Sequence, residues 1–187
     1  ILYDYMQVSG GAERLTLDMA EAFPKFQTVV SRIYPESHPL LESRAGLYRG
    51  LESLGNRYTS VLPRVIEAFL LFNCKSSFLN QADKVIYSGV FAPFAVFNQL
   101  SGKKYYYCHT PPRFAYDRRT YYLSRCPAIT RPLMNVFLDR FCYDYERALG
   151  EMDKIFVNSK NVQNRLIEIS NVKSFVISPP IDTKSFK

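Results

Sequence analysis

Tyr105-Tyr106-Tyr107-Cys108-His109-Thr110-Pro111-Pro112-Arg113-Phe114-Ala115-Tyr116-Asp117 opens as a strand and closes as a stiff loop, and that change of state organises the chain. Three β-forming tyrosines follow the charged pair Lys103-Lys104. Pro111 and Pro112 cannot continue a sheet ladder, and Pro111 biases Thr110 towards an extended backbone. His109 therefore stands where a strand runs out. In open α/β sheets ligands bind at that edge, outside the carboxyl ends of the strands. An imidazole there can donate, accept or change charge near neutral pH. The position suits equally well a histidine that only ties the loop to the backbone.

Outward from this stretch, strands alternate with helices. Residues 1–6 read as a strand, and Ser9-Gly10-Gly11 as a flexible turn. A helix follows with Ala12, Leu15, Met19 and Phe23 on one face, and Pro24 closes it. Thr28-Val29-Val30 is a second strand. Residues 34–60 hold Pro35, Pro39, Gly46, Gly50 and Gly55 and read mostly as loop, with at most one strand or helical turn. His38, in that segment, reads as a solvated loop histidine. Pro63 suits the first turn of an apolar helix over 63–79. Residues 84–88 form a strand and residues 91–101 a second apolar helix. From Pro132 a helix carries Leu133, Phe137, Phe141, Tyr145 and Leu149 at i+4 spacing, with Met134, Leu138 and Cys142 beside them, until Gly150. Residues 154–157 and 173–177 are strands, with a helix to Ile169 between them that Asn158 and Ser159 are placed to cap. The fold class expected is α/β, a Rossmann-like parallel sheet with helices on both faces.

The composition, 47% hydrophobic and 22% charged, supplies a core for one domain or one lobe. No apolar run approaches the length needed to span a bilayer. The four cysteines, Cys74, Cys108, Cys126 and Cys142, lack metal-ligand spacing and read as reduced, mostly buried thiols of a cytoplasmic protein. The net charge of +7 comes entirely from residues 101–187, with fifteen basic and eight acidic side chains. It concentrates in 103–131, where Lys103, Lys104, Arg113, Arg118, Arg119, Arg125 and Arg131 face Asp117 alone among seven aromatics. Such a segment suits an anionic membrane surface or a phosphate. Nucleic acid is disfavoured, because no recognised binding motif is present.

Ser9-Gly10-Gly11-Ala12-Glu13-Arg14 joins the first strand to the first helix. Gly10 and Gly11 allow close approach to the backbone, and the helix N-terminus favours an anion such as a diphosphate. A tight turn that needs glycine for geometry alone is the plainer reading. The motif is not G-x-G-x-x-G, which disfavours a dinucleotide cofactor. Asp4 either faces the cleft or caps a turn.

Four pieces together carry a resemblance: Gly10-Gly11-Ala12-Glu13-Arg14, Tyr107-Cys108-His109-Thr110-Pro111-Pro112-Arg113, Val157-Asn158-Ser159-Lys160-Asn161-Val162 and Ile177-Ser178-Pro179-Pro180-Ile181-Asp182-Thr183. In this order they resemble the N-terminal lobe of retaining GT-B glycosyltransferases of family 4, in its mannosyltransferase-like branch. The resemblance implies an acceptor-binding lobe over residues 1–178. Residues 179–187 would start a linker to a C-terminal lobe that binds most of the nucleotide-sugar. It implies transfer of a hexose, mannose first, from a nucleotide-diphosphate sugar to a glycan or lipid-linked acceptor. No metal or other cofactor is implied, and residues 1–187 alone are expected to be inactive. Gly10 and Gly11 would lie beside the diphosphate, and His109 would hydrogen-bond the transferred sugar without acting as a nucleophile. Arg14, Thr110, Arg113, Asp117, Asn158 and Ser159 are the further substrate-binding candidates. Arg113 either meets an acceptor phosphate or bridges to Asp117. A location in the cytoplasm, peripheral on the inner face of the membrane, follows from a lipid-linked acceptor. The alternative is a non-catalytic module that binds a glycan or a partner protein.

Overall fold

The computed structural model describes residues 1–44, 46, 50–55 and 64–181. Pro63, expected to open a helix, and Asp182 and Thr183 of the linker motif lie outside the described residues. Seven strands form one sheet: β1 (Leu2–Tyr3), β2 (Thr28–Val30), β3 (Leu51–Ser53), β4 (Lys84–Ser88), β5 (Lys103–Cys108), β6 (Lys154–Val157) and β7 (Ser174–Val176). Every pairing is parallel, in the order β3-β2-β1-β4-β5-β6-β7. The helices are α1 (Gly11–Ala22), α2 (His38–Glu42), α3 (Arg64–Cys74), α4 (Arg119–Ser124), α5 (Arg131–Gly150) and α6 (Lys160–Ser170). This is a Rossmann-like α/β fold. The direction of winding reverses between β1 and β4, so the crevice of the fold opens at the carboxyl ends of those two strands.

Side chains alternate across the sheet, and the two faces are unequally covered. Leu2, Val85, Tyr87, Tyr106, Ile155 and Val157 enter a large core with α3, the 3-10 helix Ala92–Asn98, α5 and α6. Tyr3, Val30 and Leu51 enter a smaller core with Leu17 of α1 and with Leu40 and Leu41 of α2. Beyond that smaller core the same face lies open over β4, β5 and β6. Ile86, Tyr105, Tyr107 and Phe156 floor a trough there, walled by Leu15, Met19 and Phe23 of α1.

Several expected elements come out shorter or of another kind. β1 stops at Tyr3: the Asp4 carbonyl still accepts from the Ser31 N–H at 3.0 Å, but the Asp4 side chain turns to the loop after β4. Met6 rejoins only as an isolated bridge to Ile33. The helix expected over 63–79 ends at Cys74 and is followed by the 3-10 helix Ser77–Gln81. Here the Ser76 hydroxyl donates to the Phe72 carbonyl, and the Asn98 amide donates to the Asn73 carbonyl at 3.0 Å, so side chains replace the helical donors. The apolar helix expected over 91–101 is the 3-10 helix, with Pro93 in its first turn. Residues 34–60, expected to be mostly loop, contain the 3-10 turn Pro35–Ser37, α2 and β3, and exposed His38 begins α2. Of the four free cysteines only Cys108 is buried.

Gly89, directly after β4, has φ +104°, and a Cβ there would lie 2.4 Å from the Asp4 carboxyl carbon. Gly89→Ala is therefore expected to lower stability by about 2 kcal/mol or more. Gly11→Ala, where a Cβ meets nothing within 4 Å, is the control and should shift it by only a few tenths of a kcal/mol. Urea unfolding of both variants checks the pair.

Candidate active site

The carboxyl ends of β1 and β4 are joined by one side chain. The N–H groups of Val90, Phe91 and Ala92 donate to the Asp4 carboxylate at 2.6, 2.7 and 2.9 Å. The chain can bend this tightly because Gly89 takes a positive φ, and Tyr106 Oη steadies the bend by donating to the Gly89 carbonyl at 2.7 Å. The turn-capping reading of Asp4 is thus realised across the sheet rather than locally. Burial pushes the Asp4 carboxyl up to about 6, against the pull of its three donors.

Beside this clamp sits His109. Parallel pairing sets Ser88 of β4 opposite Tyr107 of β5, which brings the Ser88 Oγ within 2.9 Å of His109 Nε2. The ring meets Tyr107 and Tyr3 edge-on, with centroids 5.2 and 6.1 Å away. Its backbone carbonyl accepts from Asn158 Nδ2 at 2.8 Å, which ties the loop after β5 to the end of β6. Burial holds the imidazole down to about 4, so it is neutral at physiological pH. With Nε2 engaged by a fully buried serine, Nδ1 is the nitrogen left to meet a ligand.

His109 and Asn158 line a cleft of about 1040 Å³, together with Gly11 and Arg14 of α1 and with Pro179 and Pro180. The two glycines divide their work. Glu13 folds back over Gly10, where a Cβ would sit 2.5 Å from its Oε2, so Gly10 makes room for this chain's own carboxylate. Gly11 is open and gives the cleft the free N-terminus of a 12-residue helix. Arg14 lines the same cleft, and its guanidinium forms no ion pair among the described residues.

Other candidates lie elsewhere or serve the scaffold. Ser159 caps α6 by accepting from the Val162 N–H, and its hydroxyl also donates to Asn158 Oδ1 at 3.0 Å. Arg113 and Asp117 pair with each other at 3.0 Å, and neither lines the cleft. Thr110 makes only a long 3.4 Å contact with the Pro111 carbonyl and also lies outside the cleft lining. The seven basic residues of 103–131 do not form one surface. Lys103 and Lys104 start β5, at the sheet edge away from His109, and pair with Asp153 and Glu151. Ser88 escaped the sequence reading altogether, because only the β4–β5 register places it against His109. Among the described residues no three His, Cys, Asp or Glu side chains gather to hold a metal ion. Comparison of the chain with protein-family models, with curated proteins and with solved structures finds no match.

Asp4 and His109 give opposite pH dependences. Asp4 keeps its proton to a higher pH folded than unfolded. Its contribution is therefore full below its ordinary value of 3.8 and is lost as pH rises through about 6. His109 is harder to protonate when folded, so its contribution is full above 6.5 and is lost as pH falls through about 4. Each is worth about 3 kcal/mol, and between pH 4 and 6 they offset each other. Urea midpoints over this range should therefore rise on acidification in His109→Phe and fall on acidification in Asp4→Asn. Parallel slopes in the two variants would sink this assignment.

Proposed function

We propose that this chain is the acceptor-binding lobe of a retaining glycosyltransferase of the GT-B type, in family 4. The full enzyme moves a hexose, mannose first, from a nucleotide-diphosphate sugar to a glycan or lipid-linked saccharide. The observation that supports this best is the convergence of neutral His109 and the open N-terminus of α1 on one cleft, at the point where the sheet reverses its winding. The four sequence motifs supply the family.

In this reading each group has a task that suits its chemistry. The free N–H groups and positive end of α1 meet the diphosphate, and Gly11 lets it approach. His109 Nδ1 meets a hydroxyl of the transferred sugar, while Ser88 fixes the ring and Asn158 fixes the loop. A neutral imidazole suits this role, since a cation would oppose positive charge developing at the anomeric carbon. The bond from that carbon to the diphosphate oxygen breaks, and a bond to the acceptor oxygen forms on the same face. The acceptor's proton passes to the departing diphosphate. No side chain of this lobe is assigned as a nucleophile. The donor-binding lobe would face the cleft from across the Pro179-Pro180 segment.

The test is transfer by the full-length protein, with a panel of GDP- and UDP-sugars and a lipid-linked acceptor extract. His109→Ala is expected to lower kcat about a hundred-fold with the fold intact. Ser88→Ala, which frees the ring without removing it, should lower kcat about ten-fold and leave KM for the donor nearly unchanged. Turnover indifferent to His109→Ala would reduce His109 to a loop-tying residue.

A further inference from the structure

We propose that the helical projection over residues 118–136 is a docking surface for an anionic lipid bilayer. The projection comprises α4, the 3-10 turn Ala128–Thr130 and the first turns of α5. Neither α4 nor the turn buries a single residue. The apolar stripe that should bury α5 does so only from Leu138 onward, through Phe141, Tyr145 and Leu149. Ahead of that point Met134 and Phe137 are only partly buried against the core, and the opposite side of the helix carries apolar side chains that face outward. Ile129 is 90% exposed, Leu133 74% and Val136 65%, and Tyr121 and Tyr122 are about half exposed. Leu133 and Val136 fall at i and i+3 on one face of α5, and Ile129 stands in the 3-10 turn directly ahead of them.

Charge identifies the occupant. Residues 118–138 contain four arginines and no acidic residue. The nearest carboxylates on either side are neutralised, Asp117 by Arg113 and Asp139 by Arg119. Arg131 donates to the Cys126 carbonyl at 3.1 Å and to the Ser124 carbonyl at 3.2 Å, and so holds the turn closed. Arg125 lies over the Tyr121 ring at 4.5 Å, and Arg118 is exposed without an ion pair among the described residues. An apolar ridge flanked by tyrosines and cations, with its acids silenced, matches the boundary between lipid tails and anionic headgroups. The projection follows the loop after β5, at the same sheet edge as His109, so a docked lobe would present its cleft near the membrane surface. No helix among the described residues is long and apolar enough to cross a membrane, so the contact is interfacial. This inference does not depend on the donor or on the transfer reaction.

The experiment is co-sedimentation of the chain with vesicles of phosphatidylglycerol and phosphatidylcholine, against phosphatidylcholine alone, at low and high salt. Binding is expected to the anionic vesicles, weakened by salt. Ile129→Asp with Leu133→Asp should abolish it, while the exposed sites leave the thermal midpoint within a degree or two. Arg118→Gln with Arg125→Gln should weaken it about ten-fold or more. Equal binding to both vesicle types, or binding untouched by the aspartate pair, would overturn the proposal. So would failure to bind any vesicle with self-association that the aspartate pair removes, which would make the ridge a protein contact.

Discussion

The carboxylate of Asp4 is the point on which the rest of this fold hangs. It leaves β1 after only two paired residues and takes three backbone donors from the loop that follows β4. Those donors would otherwise be orphans at the start of the 3-10 helix, beside the larger core. One side chain thus satisfies them, fixes β1 against β4 and sets where β4 must end. The end of β4 is Ser88, and Ser88 holds His109. The switch point of the sheet is therefore held together by a buried acid and not by ladder bonds alone. The need for glycine at position 89 follows from the same contact, since any side chain there would occupy the space of the carboxylate.

The same burial that makes the clamp firm sets the electrostatics of the crevice. Desolvation keeps His109 uncharged and pushes the Asp4 carboxyl upward. The crevice therefore offers a neutral hydrogen-bonding ring, a helix N-terminus and the Arg14 guanidinium, which forms no ion pair among the described residues. Of these, the neutral state of the ring is set by burial. It arises from the packing of Tyr3 and Tyr107 around the imidazole, and those tyrosines are ordinary strand residues in the sequence.

What could be read from the sequence was whatever depended on near neighbours. β4, β5 and β6 were legible because their apolar runs are short and bounded by lysines, Gly89 or Pro111. The stripe Phe141, Tyr145 and Leu149 was legible from its period, and the bridge from Arg113 to Asp117 was one of two readings the sequence left open. The grip of Asp4 on a loop 86 residues away was not, and neither was the Ser88–His109 contact, because sheet register creates both. The exposure of Leu133 was misread for a related reason. Period places a side chain on a helix face, but it does not say how far along that face the sheet extends. The basic segment misled in the same way, since Lys103 and Arg125 are close in sequence yet stand at opposite ends of a strand and its loop.

The open trough over β4, β5 and β6 separates two properties that usually move together. Tyr106, Ile155 and Tyr87 face the closed side, and thermodynamic stability rests on them. Tyr105, Phe156 and Ile86 alternate with them on the same strands but meet water over the trough. Colloidal behaviour rests on this second set, because a contiguous apolar surface is what drives folded molecules to stick. A single strand thus carries two codes of period two. A polar change at Tyr105 alters solubility with little loss of folding, and the same change one residue along, at Tyr106, does the reverse.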